Sequence, residues 1–117
     1  MDNIEFEKYR ENTLNSPPTE QCPVYKTLKL FQGKWTVRVL FELSKIDNAR
    51  FGELKRMIIG ITNTMLTSTL KDLEEKELIN RIQFNEVPPH VEYSLTDREK
   101  ALFPVFEAMA VWGTQYL

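Results

Sequence analysis

Residues 60–95 constrain the fold more than any other stretch of this chain. Gly60 interrupts what precedes it, Thr62 is placed to cap a helix, and Leu66, Leu70 and Leu73 then recur at spacings of four and three. Asn63, Thr64, Thr67, Ser68 and Lys71 take the other side, so one face is apolar and the other carries short polar groups. Segments 79–85 and 91–95 then alternate with the period of strands. Ile82, Phe84, Val91, Tyr93 and Leu95 are expected on one face, with Arg81, Gln83 and Glu92 on the other. Pro88-Pro89 falls in the connecting loop, since proline cannot donate to a ladder.

The flanking sequence supplies more helices. Residues 1–10 are mixed and weakly apolar, and the stretch 15–19 is too proline-rich and polar to continue a helix, so residues 1–20 are read as an arm and a linker. Cys22-Pro23 opens a helix with proline at its first position, Val24, Tyr25, Leu28 and Phe31 form its stripe, and Gly33 marks its end. Between Trp35 and Leu43 the apolar residues run nearly all round, as in a helix buried among others. Ala49, Arg50 and Phe51 suit a brief edge strand, and Phe51, Leu54 and Ile58 a short helix with Lys55 and Arg56 outward. Thr96 and Glu99 fit a capping box that starts a last helix, bent at Pro104. The expected fold class is α+β, mainly α: a winged helix-turn-helix with terminal dimerisation helices, residues 21–117 forming the domain.

Composition narrows the function. With 117 residues, 42% hydrophobic and 27% charged, one ordinary globular domain is expected. No apolar run is long enough to span a bilayer, and the acidic start, Asp2 and Glu5, is unlike a secretory signal, so no membrane partner and a cytoplasmic location are expected. One cysteine leaves no intrachain disulfide and no Cys-rich metal site. There is no phosphate loop, no metalloprotease motif and no second histidine, so no catalytic residue, metal or cofactor is assigned. Net charge is -2, but residues 1–20 hold -3 of it and leave residues 21–117 at +1, which neither favours nor excludes nucleic acid.

The short polar groups of Asn63, Thr64, Thr67, Ser68 and Lys71 could sit deep in a DNA major groove and reach base edges, or could simply face water. Their context favours double-stranded DNA: Lys34, Lys55 and Arg56, the helix-capping Thr62 and the wing residue Arg81 are placed to meet phosphate, and Arg81 and His90 to approach the flanking minor groove. The rival reading is a winged-helix module that binds protein without touching DNA. Cys22 at a helix N-terminus is a candidate redox sensor, against a plain packing role. Val24, Tyr25 and Leu28, with Phe103, Phe106, Met109, Trp112 and Tyr116, exceed what one intramolecular stripe requires. A homodimer interface is the preferred reading, and a pocket for a small-molecule effector, unidentified, is the alternative.

These residues carry a family resemblance. Cys22-Pro23, Gly33-Lys34-Trp35, Arg50-Phe51 with Glu53-Leu54, Gly60-Ile61-Thr62, Leu66 with Leu70 and Leu73-Glu74, Pro88-Pro89 with Val91-Glu92-Tyr93, Leu95-Thr96 and Trp112-Gly113 make residues 20–117 resemble the HxlR-type transcriptional regulators, a branch of the MarR-like winged-helix proteins. The resemblance implies a homodimer joined through its terminal helices, binding a palindromic operator with one winged helix per half-site. Some members sense oxidants or electrophiles through the cysteine that Cys22 matches. Family members often have glycine where Glu77 and Glu99 stand, and a basic residue where His90 stands.

Overall fold

A computed structural model describes residues 3–15 and 19–117, which fall into two compact units, Met1–Gln32 and Gly33–Leu117. The first contains helix α1 (Asn3–Thr13), a 3-10 turn (Thr19–Gln21) and helix α2 (Pro23–Leu30). Helix α1 occupies most of the stretch read as an arm, and its helical form was not expected. Glu5, Glu7, Lys8, Arg10 and Glu11 are good helix formers, Glu7 pairs with Arg10 at 3.4 Å, and Arg10 stacks over Phe6 at 4.9 Å. Ile4, Phe6 and Tyr9 stay exposed, so no buried stripe announced the helix. Of the expected linker, Ser16, Pro17 and Pro18 lie outside the described residues.

In the second unit helix α3 (Thr36–Leu43) packs against helix α4 (Phe51–Met57), helix α5 (Asn63–Glu75) and strand β3 (His90–Leu95). Val39, Leu40 and Leu43 of α3 meet Leu54, Ile58, Leu66, Leu70 and Leu73 in a buried core that Leu78, Ile79 and Leu95 extend. Strand β1 (Ala49–Arg50) is shorter than expected, because Phe51 already belongs to α4. The Arg50 N–H donates to the Glu53 carboxylate at 3.1 Å, which fixes that helix start. Gly60, at φ 91°, turns the chain between α4 and α5, and the Thr62 hydroxyl accepts from the Met65 N–H at 3.1 Å. Leu78 N–H returns to the Leu73 carbonyl and Glu77 N–H to that of Glu74, closing α5 in a Schellman turn.

The sheet is antiparallel with order β1-β3-β2, strand β2 being Ile79–Phe84. Its register corrects the expected faces: Ile82 pairs with Glu92 and Phe84 with His90, while Arg81 pairs with Tyr93 and Gln83 with Val91. Partners directly opposite share a face, so Ile82 and Phe84 lie with Glu92 and His90, away from Tyr93 and Leu95. Alternation within a strand does not supply the turn length that sets one strand against the other. His90 is thereby the first residue of β3 and not part of the loop.

The last helix is two pieces, helix α6 (Asp97–Lys100) and helix α7 (Phe103–Tyr116), where one bent helix was expected. Pro104 stands in the first turn of α7, a position that tolerates a missing N–H, so it starts a helix in place of kinking one. Of the expected capping box, the Thr96 hydroxyl accepts from the Glu99 N–H, whereas the Glu99 side chain is buried.

Candidate nucleic-acid interface

Helix α5 turns Leu66, Leu70 and Leu73 inward, which leaves Asn63, Thr64, Thr67, Ser68 and Lys71 exposed on one shallow outer surface, continued toward the C-terminus by Asp72 and Glu75. Asp72 is held by Lys76 at 2.9 Å, and Glu74, Glu75 and Glu77 follow. The surface is therefore polarised along its length. Its first two and a half turns, at 3.6 residues each, carry one amide, hydroxyls and one cation, and its last turn carries carboxylates that would repel phosphate. Only the N-terminal half suits a nucleic-acid groove, the usual mode for a reading helix.

Lys55 and Arg56 are exposed on the last turn of α4, and Arg81 on β2. Among the described residues none of these, nor Lys71, has an ion-pair partner, so each is available to a phosphate. Lys34 lies over the Trp35 ring at 5.1 Å. Arg38 also stacks on that ring at 5.0 Å and donates to the Ile59 carbonyl at 3.4 Å. Trp35 is buried, and its Nε1–H donates to Met65 Sδ at 3.1 Å. This cluster joins the start of α3 to the turn before α5 and fixes how the reading helix is presented. Sequence reasoning missed Arg38; its signal was a lone cation in an otherwise apolar helical run.

His90 is occupied on all sides. Its Nε2 lies 2.9 Å from Glu92, its Nδ1 3.8 Å from Glu86, and its ring stacks on Phe84 at 4.7 Å. Flanked by two carboxylates and only 14% exposed, it shapes the wing and is a poor partner for phosphate. Cys22 is a free, half-buried thiol immediately before α2, whose first turn contains Pro23. Val24, Tyr25 and Leu28 are exposed on α2. On α7, Phe103, Met109, Trp112 and Tyr116 are exposed, whereas Phe106 meets Phe41 edge-to-face at 5.9 Å.

The model of the HxlR-like helix-turn-helix family matches residues 30–117. The chain belongs to the HxlR-like family. A curated relative, the HTH-type transcriptional regulator YdzF of Bacillus subtilis (strain 168), is 43% identical over 95 residues, covering 81% of this chain and 87% of its own. The crystal structure of a MarR-family transcriptional regulator from Porphyromonas gingivalis W83 superposes with a TM-score of 0.78 at 41% identity, over 88% of this chain and all of that one. The oxidised form of the redox regulator HypR gives 0.72 at 36% identity, over 82% and 98%. This HxlR-like chain is thus a DNA-binding transcriptional regulator of the winged-helix type, and not an enzyme. Among its described residues no helix is long and apolar enough to cross a membrane.

Proposed function

We propose that the protein works in the cytoplasm as a homodimer on a palindromic operator, with residues 21–117 as the working domain and 1–20 as an arm. The observation that carries this reading is the polarised surface of α5, where Asn63, Thr64, Thr67, Ser68 and Lys71 face bases and the acidic end stays out of the groove. Lys34, Lys55, Arg56, Thr62 and Arg81 hold the backbone phosphates, and His90 keeps the wing in shape. Dimerisation is supported by the exposed apolar side chains that α2 and α7 each present, more than an isolated helix leaves to water. Selection of bound sequences from a random duplex pool tests this. The expected product is an inverted repeat whose half-site centres lie about 10 base pairs, or a multiple of that, apart. Enrichment of an asymmetric site, or of none, would overturn it.

Cys22 is the proposed sensor within this reading, supported by its free thiol at the start of α2 and by the likeness to a redox regulator solved in oxidised form. Replacing Cys22 with serine should leave operator binding intact and remove its response to diamide. A full response in that variant would end the sensor role.

A further inference from the structure

Below the junction of α6 and α7 lies a cavity of about 290 Å³. Leu43, Ile46, Leu95, Phe103 and Phe106 give it apolar walls, and Glu99 lines it with them. Glu99 is 4% exposed, and its Oε1 is buried without a hydrogen-bond partner among the described residues. A buried acceptor left without a donor is costly and rare in folded proteins, so its presence calls for a partner that the chain itself does not supply. The exposed part of the lining is Ser44, Asp47, Lys100 and Phe103, so the mouth is mixed and Phe103 stands at its edge. The volume exceeds the roughly 150 Å³ that takes up benzene and leaves room for one ring with a short substituent.

The geometry points to a binding site for a small single-ring amine, its ring against Phe103 and Phe106 and its ammonium group donating to the Glu99 carboxylate. An N⁺–H donor satisfies the orphaned oxygen and neutralises the acid in the same contact, which a neutral donor does only in part. An aromatic acid of the same size would bring a second carboxylate beside Glu99. The site is therefore expected to discriminate by charge sign, not only by shape.

Calorimetric titration with benzylamine, benzyl alcohol and benzoate tests the proposal on the whole protein. Benzylamine should bind at least about ten-fold tighter than benzyl alcohol, with benzoate weakest, and Glu99→Gln should lose about ten-fold for the amine while barely changing for the alcohol. Ile46→Trp, which narrows the cavity without touching the acid, should weaken amine and alcohol alike. Unchanged circular dichroism and operator affinity confirm that both variants fold. No saturable amine binding, equal affinity for amine and alcohol, or an unaltered Glu99→Gln variant would each overturn the assignment.

Discussion

Glu77 sits where the backbone turns left-handed, at φ 60°, immediately beyond the last turn of α5. An L-residue there suffers a contact between Cβ and the following carbonyl that glycine lacks. Glu77→Gly is therefore expected to stabilise the fold by about 1 kcal/mol, read as a higher urea midpoint at unchanged slope. A lower midpoint would mean that the Glu77 side chain contributes more than its backbone loses. Glu99 presents the opposite problem. Burial pushes its carboxyl up from the ordinary value, only partly opposed by the neighbouring Arg98 charge. Between the ordinary carboxylate pKa and this raised one, the unfolded chain has released a proton that the folded chain retains, so stability falls as pH rises through that window. Glu99→Gln removes this loss. The variant should melt above the parent at pH 7 and converge with it below about pH 4, where both states of the parent are protonated. A constant difference across that range would show that ionisation is not the cause.

At the level of elements, the proposed interface divides the labour of binding between α5 and the end of α4. If Asn63 makes a bidentate base contact, Asn63→Ala should cost about 1–3 kcal/mol on the preferred operator and relax preference at one base pair. Lys55→Ala should instead weaken all duplexes and flatten the salt dependence by about one unit of slope. Mobility shifts on matched and mutated operators at several salt concentrations separate the two. Legibility in the sequence followed the same division. Helices with a buried stripe, α3, α4 and α5, were readable because Leu66, Leu70, Leu73 and their like repeat at helical spacing. Helix α1 escaped because its stabilising contacts, Glu7 with Arg10 and Arg10 with Phe6, are local and bury nothing. The pairing of β2 with β3 escaped because either register preserves alternation, and the Trp35 cluster because it joins residues thirty positions apart. The outward groups of α5 were legible as a set, but their restriction to its N-terminal part emerged only with the Asp72–Lys76 pair and the exposure of Glu75.

For the whole molecule, the proposed dimer rests on the apolar side chains that α7 leaves exposed. Trp112 is 57% exposed, and among the described residues its ring meets that of Tyr116 at 5.3 Å. Light scattering should give twice the 13.8 kDa chain mass for the parent, and Trp112→Glu should shift it toward the single-chain value while weakening operator binding. A mass of twice the chain in that variant would place the interface elsewhere. From Asn63 to Lys71 the polarised surface of α5 is about 13 Å long at 1.5 Å per residue. That matches about four rungs of duplex at 3.4 Å each, a word that recurs by chance roughly every 250 positions. One such word cannot serve as an address on a chromosome. Two, read at a fixed separation, make the address rare enough to be found.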